Sequence, residues 1–196
     1  MGGNYYNKYE SKNIIVKKLM NGFIHDFLEL ASLTDAKDVV ECGCGEGYLS
    51  LKLLDRGYEV YGCDIDKEII ELANSKAKEL GYETPFFAAD LMMIDEDKIA
   101  DLVVCCEVLE HTENPELVLQ KLRKLSRKWV LLSVPREPIW RIMNMARLRY
   151  LDRFGNTPGH IQHWSRQGII ELVSNYMRIT EIRNPLPWTM LLCEVD

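Results

Sequence analysis

Residues 37–51 read KDVVECGCGEGYLSL, an apolar run closed by an acid and followed by glycines at alternate positions, Gly43, Gly45 and Gly47. Val39 and Val40 suit the interior of a buried strand, and the glycines allow φ > 0 and let a ligand approach bare backbone. Tyr48 to Leu54 resumes with helical apolar spacing, so the turn presents helix N-terminal amides to whatever it holds. A dinucleotide fingerprint needs its third glycine one residue later, where Tyr48 stands, which weakens a phosphate-binding reading.

From residue 38 onward apolar runs alternate with amphipathic segments, the pattern of an α/β sheet with helices on both faces. Strands are expected near 38–42, 58–63, 84–89, 101–106, 128–134, 177–183 and 188–194. Helices are expected at 47–56, 66–80, 115–126 and 165–176, with two more between about 11 and 33. Asp66 suits an N-cap, Gly81 a C-terminal stop and Pro115 a first helical turn. Only Asn184 to Pro187 separates the last two strands, too little for a helical crossover, so an antiparallel hairpin is expected there.

The 196 residues are enough for one domain with a substantial core, and no internal repeat divides them. The polar, tyrosine-rich start lacks a signal-peptide core, and no apolar run approaches the roughly 18 residues of a membrane span, so a cytoplasmic location is expected. Six cysteines at 42, 44, 63, 105, 106 and 193 fall mostly within strand-like runs and read as buried free thiols. Cys42 and Cys44 lack a second pair at CxxC spacing, so no metal is expected. The net charge of −6 argues against a nucleic-acid partner. Against that background residues 136–166 hold six arginines and only two acids, Glu137 and Asp152.

The spacing from Glu41 through Gly43, Gly45 and Gly47 resembles the first motif of class I S-adenosylmethionine-dependent methyltransferases. The segment YGCDIDKEIIELA resembles the second motif, which implies Asp64 for the ribose hydroxyls and Ile65 for packing on the adenine. FFAAD followed by Leu91 places Asp90 where the family accepts from the adenine amino group, with the next backbone amide on a ring nitrogen. EVLEH with a proline four residues on is similar to the segment after the fourth strand in small-molecule members, including those acting on quinone precursors. It implies Glu107 under the methionine end of the cofactor and His111 near the acceptor. Amino-methylating and cytosine-methylating DNA enzymes carry other residues here. The resemblance covers 37–135 and implies a Rossmann-like seven-stranded mixed sheet in a three-layer α/β/α arrangement with an antiparallel last strand. One domain over 1–196 is then expected, with 1–33 as an N-terminal helical cap and 136–164 as an acceptor-side lid.

Within that lid Pro138 can start a helix, and Ile139, Ile142, Met143 and Ala146 share one apolar face. GHIQHWS resembles the histidine-bearing loop that closes over the acceptor in many of these enzymes, so His160, His163 and Trp164 are expected to line the acceptor pocket. Arg136 with Arg149 or Arg153 is expected to recognise an anionic group on the acceptor. The same basic amphipathic helix also suits peripheral contact with an anionic membrane surface. NYYNKYESKN near the start is expected either to fold over the cofactor or to fray.

The expected activity is methyl transfer from S-adenosylmethionine to a small-molecule acceptor, anionic or lipid-linked, at a hydroxyl, with S-adenosylhomocysteine as the other product. A histidine suits the general base, His160 before His111. Two alternatives stand beside it, a nicotinamide-dependent oxidoreductase and a non-catalytic module that keeps the cofactor pocket. Cys42 and Cys44 in the first motif are expected to make the protein thiol-sensitive.

Overall fold

The computed structural model describes residues 13–83, 85–94 and 100–195. The segment before Asn13, read above as a possible cover for the cofactor, lies outside them. Helix α1 (Ile14–Ser32) leads into β1 (Asp38–Cys42), α2 (Tyr48–Leu54), β2 (Glu59–Asp64), α3 (Lys67–Glu79) and β3 (Phe86–Ala88). Strand β4 (Ala100–Cys106), α4 (Pro115–Leu125), β5 (Ser126–Pro135), α5 (Ile139–Ala146), α6 (Arg166–Ser174), β6 (Arg178–Arg183) and β7 (Trp188–Glu194) complete the order.

The seven strands run β3-β2-β1-β4-β5-β7-β6 in one sheet. Strands β1 to β5 pair in parallel, and β7 inserts antiparallel between β5 and β6. The hairpin expected from the short 184–187 link is therefore present, and its second strand also supplies the bond to β5.

Alternation along the strands divides the core. Val40, Cys42, Val103, Cys105, Val130 and Leu132 face Val118, Leu119 and Leu122 of α4 and Ile169 and Val173 of α6. Val39, Leu102, Val104, Leu131 and Leu192 point the other way, against Phe23, Phe27 and Leu30 of α1 and Leu49 and Leu53 of α2. A third cluster seats α3 through Ile70, Ala73 and Ala77 on Phe86, Leu51 and Cys44. All six cysteines are buried and free.

Local chemistry sets the element ends. Asp66 caps α3 by accepting from the Glu68 and Ile69 amides, and Gly81 follows its end at φ +83°. Pro115 opens α4. The expected pair of helices before the sheet is instead the single helix α1, capped by Asn13. Its buried positions Val16, Met20, Phe23, Phe27 and Leu30 hold one 3–4 spacing straight through Gly22, so the stripe against the sheet carries the helix across that weak point. Phe27 is fully buried in this stripe. Phe27→Ala is expected to cost about 3–5 kcal/mol of folding stability, read from urea unfolding followed by circular dichroism.

Candidate functional site

Five parallel strands deliver their carboxyl ends to one edge, and the strand order reverses between β1 and β4 there, which opens a crevice. The turn after β1 lines it. Gly43, Gly45 and Gly47 have φ of +76°, +53° and +76°, a conformation that side chains with a Cβ resist. Their surroundings differ. A Cβ at Gly43 would sit 2.3 Å from Val108 Cγ2, and one at Gly47 would sit 2.6 Å from the Phe86 ring, whereas one at Gly45 would meet nothing within 4 Å. Two glycines thus pack against the fold, and the middle one faces the open crevice.

Asp64, at the end of β2, holds this turn. Its Oδ2 accepts the Gly45 amide at 3.0 Å and its Oδ1 accepts the Asp66 amide at 3.0 Å. The carboxylate is thereby fixed while each oxygen keeps a further lone pair for a diol. Lys76 of α3 clamps the neighbouring Glu46 at 2.5 Å. Asp90 accepts the Met92 amide at 2.9 Å and caps the 3-10 turn Leu91–Met93. Ile65 and Met93 are 65% and 82% exposed beside these acids, apolar surface of the kind a base plane covers.

Glu41 is buried beneath the turn, and its Oε2 accepts the Ser50 hydroxyl at 2.5 Å. Burial pushes its carboxyl up from 4.5 to about 7, against the Ser50 hydrogen bond and aided by the charge of Asp64. Cys44 is pushed well up by burial, and Cys42 by its contact with Cys63 and by burial. That corrects the expected thiol sensitivity, because a buried protonated thiol is a poor nucleophile.

Glu107, at the end of β4, takes φ +62°, a left-handed conformation rare outside glycine and asparagine. Beside it opens a cavity of about 170 Å³ that Glu107 shares with Glu110, His111 and His160. The Glu110 carbonyl accepts the Ile161 and Gln162 amides at 2.9 and 3.1 Å, which straps the GHIQHWS segment onto the turn after β4. His111 and His160 meet edge to face with centroids 4.9 Å apart, and Trp140 of α5 stacks on His160 at 5.6 Å. Trp188 meets Trp140 at 5.7 Å and Phe23 of α1 at 4.9 Å, completing an aromatic wall. Glu110, His111 and His160 also bring one ligand atom each within 4.8 Å of one another, the described residues that could hold a cation.

The lid differs from its expected face. Of α5 it is Asn144 that is buried, donating to the Gly155 carbonyl at 2.9 Å and the Thr157 hydroxyl at 3.2 Å, while Ile142 is exposed. Met143 lines the cavity. Arg147 and Tyr150 line it too, where the sequence reading favoured Arg149 or Arg153, which sit on the exposed turn away from the lining. Arg136 and Trp164 form a backbone bridge beside β7, and His163 lies 3.7 Å from Glu137, so none of these three lines the cavity. Arginine spacing carried no signal for Arg147, since the turn at Leu148, Tyr150 and Phe154, all at positive φ, decides which guanidinium points inward.

Residues 15–176 match a family model described as a methyltransferase domain. The chain is 30% identical over 99 residues to the ubiquinone biosynthesis O-methyltransferase of Rickettsia conorii, covering 50% of this chain and 34% of that protein. To the enzyme of the same name from Leptothrix cholodnii it is 32% identical over 104 residues, covering 50% and 44%. It spans less than half the length of these relatives. Among solved structures it resembles magnesium protoporphyrin IX methyltransferase of Synechocystis with bound S-adenosylhomocysteine, at TM-score 0.74 and 22% identity over 96% of this chain and 91% of that one. A Pyrococcus horikoshii protein gives TM-score 0.74 and 18% identity over 98% and 97%.

Two outcomes test the crevice. Gly43→Ala is expected to weaken S-adenosylhomocysteine binding at least about tenfold by calorimetry, because the turn must move to clear Val108. Glu41, protonated more readily folded than unfolded, should lend stability that is full below about 4.5 and lost as pH rises to about 7. Glu41→Gln is expected to flatten the stability profile across that window, read by thermal melts.

The open middle glycine, the acids at the carboxyl ends of β2 and β4, and the antiparallel closing strand agree with the family match: the chain belongs to the methyltransferase-domain family and has the fold of the class I methyltransferases.

Proposed function

We propose that this enzyme methylates a hydroxyl on a small planar acceptor that carries an anionic group. The observation that carries the reading is His111 Nδ1 lying 3.0 Å from the Gly159 carbonyl. A carbonyl only accepts, so Nδ1 bears a proton, and in the neutral form of the ring the lone pair is on Nε2. This supports His111 over His160 as general base, as does the burial of His160 and its stacking against Trp140.

Bound S-adenosylmethionine supplies an electrophilic methyl group on a cationic sulfur. Asp64, Asp90 and Glu107 set carboxylates along the crevice, which favours that cation. The aromatic wall of Trp140 and Trp188 suits a flat acceptor, and Val16, Leu19, Met20 and Met143 suit an apolar substituent on it. Arg147, which donates to Asn144 Oδ1 at 2.5 Å, offers its remaining donors to an acid group. His111 Nε2 takes the hydroxyl proton as the oxygen gains the methyl group, and the fold contributes alignment and the exclusion of water. The name shared by the curated relatives, ubiquinone biosynthesis O-methyltransferase, supports a hydroxyl acceptor.

With hydroxybenzoate-type phenols as probe acceptors, His111→Ala is expected to lower kcat about 10²–10⁴-fold with little change in cofactor affinity. Arg147→Met should raise KM at least about tenfold for an acidic acceptor and leave a neutral analogue unaffected. Full kcat in His111→Ala would remove the base assignment. The grouping of Glu110, His111 and His160 favours one second reading, in which His111 holds a divalent cation that polarises the hydroxyl; a rate abolished by chelation and restored by the cation would select it.

A further inference from the structure

The lid turns an unusual surface outward. Residues 147–154 read RLRYLDRF, three arginines and three large apolar residues besides Tyr150, with Asp152 as the one acid. Leu148, Leu151 and Phe154 are 78%, 53% and 77% exposed. They recur at every third position through the turn and stand in solvent. Arg147 and Tyr150 of the same turn line the cavity.

The turn is built to hold this display. Leu148, Tyr150 and Phe154 adopt φ of +55°, +53° and +49°, and non-glycine residues there persist only where surroundings fix them. The fixing contacts are visible at its base. The Gly155 amide donates to the Tyr150 carbonyl at 2.8 Å, Asn144 donates to the Gly155 carbonyl, and Gly155 packs so closely that a Cβ would sit 2.3 Å from the Arg141 carbonyl oxygen. An apolar trio held out in solvent by a strained, tied-down loop costs exposure without any folding gain.

We propose that the turn Leu148–Phe154 is a docking surface for an anionic lipid bilayer. Leu148, Leu151 and Phe154 enter the acyl boundary, and Arg149 and Arg153 meet lipid phosphates. Charge selects this occupant. The chain as a whole carries −6 and would be repelled by an anionic surface, yet residues 136–166 gather six of its arginines against two acids. Among the described residues Arg153 pairs with Asp152, 3.7 Å away with both side chains well exposed, a pair too loose to compete with phosphate. Because Arg147 and Tyr150 belong to the same turn, docking brings the cavity rim to the membrane surface, where an acceptor with an apolar substituent would concentrate.

The test is sedimentation of the whole chain with vesicles of phosphatidylcholine containing phosphatidylglycerol, against phosphatidylcholine alone. Binding to the anionic vesicles that weakens with added salt is expected. The double variant L148N/F154N keeps residues that tolerate left-handed φ, and it should lower the bound fraction at least about fivefold while retaining S-adenosylhomocysteine affinity. Arg149→Glu should lower it comparably, which keeps the test open should the double variant misfold. No binding to anionic vesicles, or binding untouched by these substitutions, would overturn the proposal. So would a dimer in analytical ultracentrifugation that L148N/F154N abolishes, since a second copy would then be the occupant. No turnover is read, so the outcome stands apart from the hydroxyl-methylation reading.

Discussion

The reversal of strand order between β1 and β4 is the constraint on which the rest of this molecule depends. Right-handed crossovers send the connection after β1 to one side and the connection after β4 to the other, so the two strands part at their carboxyl ends and leave a crevice. Every strand on the parallel side ends there, which is why Glu41, Asp64, Asp90 and Glu107 come together although they span 67 positions of sequence. Four acids at one edge repel one another. Burial answers part of that repulsion by holding Glu41 toward its neutral form, and the Gly45 amide answers another part by donating to Asp64. A cationic ligand answers the remainder.

The cavity beside Glu107 rests on a different kind of organisation, a polar frame with aromatic infill. Thr157 takes hydrogen bonds from both Trp140 and Asn144, and the Glu110 carbonyl takes two amides from the segment carrying His160. These bonds hold together pieces from the lid and from the turn after β4. The aromatic run from Phe23 through Trp188 and Trp140 to His160 then ties α1 and β7 to the same wall. Such a wall has few soft degrees of freedom, so it can present a flat ligand at a fixed attitude.

Local chemistry was legible wherever one residue's own conformational need settled the matter. Asp66 caps α3, Gly81 ends it, Pro115 opens α4, and the glycines at 43, 45 and 47 take positive φ. The reading went astray where packing outweighed local preference. Two helices were expected between about 11 and 33, and the apolar stripe of α1 carried one helix through Gly22. In the lid, Ile142 belonged to the predicted buried face and stands exposed, because Asn144 offered two hydrogen bonds that a short helix against a loop could not otherwise satisfy.

By itself the sequence determined the crevice half of this protein: the α/β order, the antiparallel hairpin, the glycine turn and the acids at the strand ends. Each of these follows from contiguous residues whose spacing and backbone requirements are written in one short segment. Tertiary structure alone decided the cavity half. Which arginine faces the cavity, which carbonyl orients His111 and which apolar residues of the lid face solvent all depend on contacts between segments distant in sequence. Arg147 rather than Arg149 faces inward because the backbone reverses hand at Leu148, and His111 is oriented by the carbonyl of Gly159. Such choices arise only when the chain has folded back on itself.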